Sequence, residues 1–575
     1  LTLFSGPQAL AAPGALPDTP LFVSNSVEPN IFYTLDDSGS MDWELMYAGG
    51  EGSSIATGGD GLPIIKGYTK RYWNPRWSGY MYGTTSYDRN IVPAANIFVT
   101  GDSTSTWARD LWILRNHNVN TLYYNPDSKY TPWKGVDSEG NPLFKDADPT
   151  AVLRDPTNPA AGSQDITVRY NYYNPDGRYR YGVYYIPSYF TAIDDNGVAG
   201  INAGDTHKLI EIAAGSSEMQ NFANWFQYYR KREFSAKAAL GDVINNAGAT
   251  RMGFAEFNAG HIKDVASMTN PTNKRNLLTT FYNTPSLPKG TPARLSMKKT
   301  GEYFRKTTST APILPASQGG ECQQNFNVTM TDGFWNGSTP SGIGNADADG
   351  SNTADNRYDG NAKESIDGGN YADSRYVTLA DVAMHYYERD LRTDLRDLVP
   401  PTAGLDVAPH QHLVSYTIAF GLKGKLDPEK DHPLDDGFVW PNPMPSSNNL
   451  EKIDDLWHAA YNGRGLFLSA DNAEELSTSL KAAIISIGER TATASAASVT
   501  SAKLTTESIV YLAEFNTNRW QGTIFAHKIK DFDTGELFAT PEWSAKDVLD
   551  KRDFSTNPRT ILTLANKSAT SKDGV

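Results

Sequence analysis

Ile31-Phe32-Tyr33-Thr34-Leu35-Asp36-Asp37-Ser38-Gly39-Ser40 is the stretch on which the fold turns. Five apolar or β-branched residues run straight into acids, hydroxyls and a glycine. A continuous apolar run of this kind suits a strand buried on both faces, as in a parallel sheet. Its polar end then lies at the carboxyl edge of the sheet, where open α/β folds bind ligands. Asp36, Ser38 and Ser40 are spaced D-x-S-x-S, so one tight loop can turn a carboxylate and two hydroxyls toward a common point. Oxygen-only ligands suit a hard divalent cation, most naturally Mg2+. The same letters are also ordinary turn and N-cap chemistry, so the loop alone assigns no site.

Outward from that loop, helix and strand patterns alternate. Phe222, Trp225, Phe226, Tyr229, Ala236, Leu240, Val243 and Ile244 recur at three- and four-residue spacing, which predicts one helix from Asn221 to Ala247-Gly248. An apolar strand, Met252–Phe257, follows at once. Gly290-Thr291-Pro292 precedes a helix-like run from Ala293 to Phe304, which leaves the Thr291 hydroxyl on a loop. Phe326–Met330 reads as a strand running into Thr331-Asp332-Gly333, a second strand that ends in a carboxylate. A helix from Tyr376 to Leu391, a strand from His412 to Phe420, a strand from Gly465 to Ser469 and a helix from Ala473 to Ile487 complete the series. Asn472 with Glu475 resembles a capping box for the last helix.

Composition bounds the rest. The 575 residues carry a net charge of −14 with acids and bases interspersed, which argues against nucleic acid as the main partner. The single cysteine, Cys322, excludes an intrachain disulfide and a cysteine zinc site, and its place ahead of a core strand predicts a buried, inert thiol. Residues 1–12 resemble the tail of a secretory signal with Ala9-Leu10-Ala11 at the cleavage point, so export is expected, and no apolar run long enough for a transmembrane helix follows. Residues 43–218 are rich in Tyr, Trp, Gly, Asn and Pro and read as a large insertion of short strands and loops. Within it, Ile166–Tyr173 and Arg178–Ile186 flank the turn Asn174-Pro175-Asp176-Gly177 as a hairpin. After an Ala/Ser/Thr-rich connector, Ser508–Glu514 and Trp520–Ile529 alternate as strands.

Asp36, Ser38 and Ser40, then Thr291, then Asp332 thus bring oxygen ligands from three loops of an α/β alternation. That order resembles the metal-ion-dependent adhesion site of the von Willebrand factor A domain. The resemblance implies that hydroxyls coordinate the ion, that the acids hold it directly or through water, and that one position stays open for a ligand carboxylate. Mg2+, or Mn2+ or Ca2+ in its place, is the implied ion.

A second resemblance covers most of the chain. Asn116–Pro126 with Tyr130-Thr131-Pro132-Trp133, Asn221-Phe222-Ala223-Asn224-Trp225, Thr331-Asp332-Gly333-Phe334-Trp335-Asn336 and Asp455-Leu456-Trp457-His458-Ala459-Ala460 are similar to PilC/PilY-type type IV pilus proteins. The likeness implies a Rossmann-like von Willebrand factor A domain, residues 13–42 plus 219–490, interrupted by the insertion 43–218 and followed by a linker and short β segment, 491–575. It implies a non-enzymatic protein exported through the periplasm to the pilus tip or outer cell surface, or secreted. Its roles would be pilus assembly, adhesion, twitching motility and surface sensing, including mechanosensing. Minor pilins and surface or host ligands bearing carboxylates are the implied partners. A structural cap that primes assembly with minor pilins is the alternative; a quinoprotein-like fragment would need β-propeller blades that the family carries C-terminally and that are mostly missing here. Lys289 stands where many A domains have a glycine, which puts the loop geometry around Thr291 in question.

Three other patterns carry less. Asn345, Asp347 and Asp349 alternate like a calcium loop, but Asn356 stands at the twelfth position in place of a bidentate glutamate. His410, His412 and His432 lack a third acidic partner at a diagnostic spacing, and two of them precede a strand, where satisfied surface histidines are expected. No G-x-S-x-G, H-E-x-x-H or P-loop occurs.

Overall fold

A computed structural model describes residues 27–44, 46, 115–118, 120–173, 181–193, 206–348, 368–402, 405–444 and 449–493, with short segments 73–74, 79–80, 498–499, 509–516, 521–528 and 542–553. The chain divides into one unit of Ser26–Gly488 and another of Leu1–Asn25 with Glu489–Val575. The signal-like residues 1–12, and the turn at 174–177, lie outside the described residues.

The larger unit is built on a six-stranded sheet: β1 (Asn30–Leu35), β2 (Arg251–Glu256), β3 (Gly260–Ser267), β4 (Asn325–Thr331), β5 (Val414–Phe420) and β6 (Arg464–Ala470). Their order across the sheet is β3-β2-β1-β4-β5-β6. All neighbours are parallel except β3, which returns antiparallel along β2. β1 is therefore central, and the order reverses between β1 and β4, the switch point where ligand clefts form in open α/β sheets.

Among the described residues, seven helices cover this sheet: α1 (Ser217–Tyr228), α2 (Arg232–Asn246), α3 (Pro271–Asn283), α4 (Ala293–Phe304), α5 (Leu379–Tyr387), α6 (Glu451–Asn462) and α7 (Ala473–Thr493). Successive side chains of a strand point to opposite faces, and β1 shows it. Ile31, Tyr33 and Leu35 join the core made with α1, α2, α3 and α7, whereas Phe32 joins the core made with α4, α5 and α6. Polar residues within the buried strands pair with one another: Asn30 Nδ2 donates to Asn325 Oδ1 at 2.9 Å, and Thr34 Oγ1 to Asn327 Oδ1 at 2.7 Å. These bonds fix the β1–β4 register that carries the loops beyond it.

Several elements differ from their sequence reading. The stripe beginning at Asn221 is two helices, because Tyr229–Lys231 leaves helical geometry and Ser235 Oγ instead donates to the Tyr229 carbonyl. The helix expected over Tyr376–Leu391 is confined to Leu379–Tyr387, with Thr378 and Asp381 forming a capping box at its start. At the start of α7 one half of the expected capping box is present, Glu475 N donating to Asn472 Oδ1 at 2.9 Å, while the Glu475 carboxylate accepts from Asp471 N and Asn472 Nδ2. Strands Arg169–Tyr173 and Tyr181–Tyr185 pair antiparallel, as do Ile509–Asn516 and Gln521–Lys528. Cys322 is exposed rather than buried, since it closes a short 3-10 turn, Gly320–Cys322, and burial begins only at Gln323.

Glu256 ends β2 in a buried position close to the loop after β1. Burial first, and the charge of Asp37 next among the causes that raise it, push its carboxyl up to about 7 from an ordinary 4.5. The folded state thus favours the protonated acid. Its contribution is complete below pH 4.5 and is lost as pH rises through about 7. Glu256→Gln should therefore stabilise the chain at pH 8 by up to about 3 kcal/mol and leave it unchanged at pH 4. Urea unfolding at the two pH values checks this; an equal shift at both would refute it.

Candidate metal centre

The loop after β1 is closed by its own first acid. Asp36 N donates to the Met330 carbonyl, extending the sheet by one bond, and Ser38 N then donates to Asp36 Oδ1 at 2.8 Å. This Asx turn brings the hydroxyls of Ser38 and Ser40 to 2.9 Å from each other. Ser40 Oγ donates to Asp332 Oδ1 at 2.8 Å, joining this loop to the end of β4. Thr331, also from β4, donates from Oγ1 to Asp36 Oδ2 at 2.6 Å.

The third loop is latched by its backbone. Gly39 N donates to the Lys289 carbonyl at 3.1 Å, and Thr291 exchanges bonds with Asn336, its N donating to Oδ1 and its carbonyl accepting from Asn336 N. Lys289 is exposed, and its main-chain carbonyl makes the bond that joins the two loops. Gly333 shows where the Thr291 hydroxyl lies: a Cβ at Gly333 would stand 3.2 Å from Thr291 Oγ1 and 3.6 Å from Ser40 Oγ. The five residues read from the sequence, Asp36, Ser38, Ser40, Thr291 and Asp332, therefore meet at one edge of the sheet.

Mg2+ holds its oxygens at about 2.0–2.1 Å in an octahedron, so adjacent ligands lie about 2.9 Å apart. The Ser38–Ser40 and Ser40–Asp332 separations of 2.9 and 2.8 Å have that spacing. Burial, reinforced by the charge of Asp332, pushes the Asp36 carboxyl up to about 7. A cation placed here would displace that proton.

Three consecutive cations face the loop, and the sequence reading missed all of them. The α1–α2 connection sends Arg230 to Glu44 at 3.1 Å, Lys231 to Asp42 at 2.5 Å and Arg232 to Asp332 Oδ2 at 2.8 Å. Arg232 and Asp332 are buried together, so one oxygen of the acid meets Ser40 and the other a guanidinium. Asp37 is also structural: its carboxylate accepts from Asn258 N, Asn258 Nδ2 and Ala259 N, which ties the β2–β3 turn to the site. A run of adjacent basic residues at a helix boundary was the available signal for the first group; nothing local marked the second.

Of the calcium-loop residues, Asn345 is half-buried, Asp347 is wholly buried and Asp349 lies outside the described residues. His410 and His412 are buried, not surface, residues: His410 bonds the Tyr387 carbonyl and His412 lies 3.1 Å from Asp406. They were misread because the sequence places them before β5, where the chain is already enclosed. His432 is exposed. Among the described residues no helix is long and apolar enough to cross a membrane.

Fold and loop cluster together define an α/β protein with an oxygen-lined site at the switch point of a largely parallel sheet. The chain is 26% identical over 604 aligned residues to the type IV pilus biogenesis factor PilY1 of Pseudomonas aeruginosa strain PAK, covering 95% of this chain and 46% of that protein. It is 24% identical to the factor of the same name from strain PAO1, again over 95% of this chain and 46% of the relative, and 25% identical to that of strain UCBPP-PA14, over 93% and 45%. These relatives support the chain's likeness to the PilY1/PilC family. It spans about half the length of the curated relatives it matches. No family model matches the sequence. No solved structure matches the chain.

Proposed function

We propose that the chain is a pilus-associated surface protein that acts in type IV pilus biogenesis and captures carboxylate-bearing ligands through a von Willebrand factor A-type adhesion site. The observation that carries the binding half is the meeting of oxygens from the loops after β1 and β4 at octahedral spacing, with the Thr291 hydroxyl of a third loop beside them. The relatives' names, each a type IV pilus biogenesis factor, support the pilus half. Ser38, Ser40 and Thr291 would hold Mg2+ by their hydroxyls, with Asp36 and Asp332 setting the charge. The bound ion would supply an electrophilic position for an incoming carboxylate. The chain's own part is to keep the hydroxyls aligned through the Asp36–Ser38 turn and to limit negative charge by pairing Asp332 with Arg232. Export to the pilus tip or cell surface, contact with minor pilins, and roles in twitching and surface sensing belong to the same proposal. So does a binding rather than an enzymatic mode of action.

Titrating the purified chain with Mg2+ in a calorimeter should give a binding isotherm that Asp36→Ala abolishes; identical heats for the two would remove the metal from the proposal. A second reading, a structural cap that packs against minor pilins, is favoured by one observation: the loops are already joined by Arg232–Asp332, Gly39–Lys289 and Ser40–Asp332 contacts. Ser38→Ala separates the two. Lost adhesion with pili still assembled supports capture, and lost pili support the cap.

A further inference from the structure

A second cluster of metal-ligating groups lies among α5, α6 and the segments ahead of them. Asp347, Asp373 and His458 each bring one ligand atom within 4.8 Å of the others'. His458 Nε2 is 3.6 Å from Asp347 Oδ2, and His458 Nδ1 is 3.8 Å from Asp373 Oδ2. Neither separation is a hydrogen bond. All three side chains are buried, at 0% exposure for Asp347, 6% for Asp373 and 2% for His458.

The imidazole is oriented for a ligand. Its Nε2 lies 2.6 Å from the Tyr371 carbonyl, which can only accept, so Nε2 carries the proton and Nδ1 the lone pair. That lone pair faces the Asp373 carboxylate, acceptor against acceptor. Trp440 stacks on the ring at 4.2 Å and 11°, which fixes its plane. A histidine whose second nitrogen is held by a backbone carbonyl has the outer-shell support common to metal-binding imidazoles.

A fourth group adds an independent sign. Asn462, wholly buried at the end of α6, places Nδ2 3.3 Å from Asp347 Oδ2 and 3.5 Å from the Ala380 carbonyl, while its Oδ1 has no hydrogen-bond partner. Turned over, the same amide presents that unpartnered oxygen to the cluster. The neighbouring acids are engaged elsewhere: Asp381 in the α5 capping box, and Asp455 as acceptor from Leu379 N and Ala380 N. Among the described residues the Asp347 carboxylate accepts only long bonds, 3.4 Å from Asp373 N and 3.3 Å from Asn462 Nδ2.

We propose that Asp347, Asp373 and His458 bind a divalent transition cation of the zinc or manganese type, with the Asn462 amide oxygen as a fourth donor. The imidazole separates this centre from the all-oxygen site at Asp36, because Mg2+ and Ca2+ take oxygen ligands whereas zinc accepts mixed nitrogen and oxygen. Tetrahedral zinc ligands at about 2.0–2.1 Å lie about 3.4 Å apart, so the gap between Nδ1 and Asp373 needs to close only slightly. The bound cation ties the segments around residues 347 and 373 to α6.

The test uses the full chain, stripped by a chelator and dialysed against Zn2+ in excess Mg2+, with metal counted by mass spectrometry. The wild-type chain should retain one zinc equivalent, with an imidazole in its X-ray absorption spectrum. Ser38→Ala should keep the zinc, and Asp373→Asn and His458→Gln should lose it. Wild-type protein that retains no zinc, or whose zinc has an oxygen-only shell, overturns the proposal; so does zinc kept in full by both cluster variants. The wild-type spectrum decides even where a variant fails to fold.

Discussion

Asp332→Ala should destabilise the chain by about 3–5 kcal/mol, the cost of breaking a buried ion pair by removing one partner, and should abolish Mg2+ binding at the same time. Arg232 and Asp332 have side-chain exposures of 1% and 0%, and the pair is 2.8 Å apart. Without the acid the guanidinium still meets the Asp332 main-chain carbonyl at 3.2 Å and the face of Trp43. Ser40 loses its acceptor too. A double variant, Arg232→Met with Asp332→Leu, removes both charges and should regain most of the stability without regaining Mg2+ binding. Arg232→Met alone separates the two effects in the other direction. It releases Asp332 Oδ2 toward the site and adds net negative charge, so Mg2+ should bind more tightly while the fold weakens. Urea unfolding read beside calorimetry resolves all three variants. An Asp332→Ala chain as stable as wild type would show that the pair contributes nothing.

The same pair marks the limit of what the sequence discloses. β1 was legible because it is an apolar run ending in an acid, and burial on both faces leaves such a run few alternatives to a central parallel strand; β4 was legible because Phe326, Val328 and Met330 alternate ahead of Asp332. Thr291 was legible for a related reason: a Gly-Thr-Pro turn ahead of a helical stripe places its hydroxyl at the sheet edge. β3 was not, because an antiparallel edge strand needs only partial burial, and Gly260–Ser267 alternates His, Lys and Asp with a few apolar residues. α6 was recognised only as a motif. Its apolar side is built from Ile453, Leu456, Ala459 and Ala460, while the acids on the same helix point into buried hydrogen bonds. Arg232 escaped notice since its role depends on a helix break that periodicity smooths over. Asp373 and His458 are separated by α5, β5 and most of α6, so no spacing rule connects them.

The second large effect tests whether the aromatic segment after residue 120 is part of the larger unit's core or an ornament on it. Trp133→Ala should cost about 3–5 kcal/mol, the usual range for emptying a buried aromatic site. The indole stacks on Tyr282 of α3 at 5.1 Å and 15°, meets Phe234 of α2 edge-on at 5.6 Å, and packs against Phe144 at 5.2 Å. Its Nε1 donates to the Tyr228 carbonyl at the end of α1 at 2.8 Å, so truncation also orphans a buried acceptor. One residue thus holds three helices. The helices are shaped to receive it: Gly241 sits in mid-α2, where glycine ordinarily costs about 1 kcal/mol relative to alanine. A Cβ there would lie 2.0 Å from the Tyr282 hydroxyl, which donates to the Lys134 carbonyl at 2.7 Å. Gly241→Ala should therefore destabilise the chain despite its better helix propensity, by displacing the ring on which Trp133 stacks. Trp133→Phe keeps most of the packing and should lose far less than Trp133→Ala. None of the hydrogen bonds that join Asp36, Ser38, Ser40, Thr291 and Asp332 involves Trp133. Well below their unfolding transitions these variants should bind Mg2+ like wild type. A loss under about 1 kcal/mol for Trp133→Ala, within the ordinary range of a surface substitution, would mean that the aromatic segment only rests on the helices.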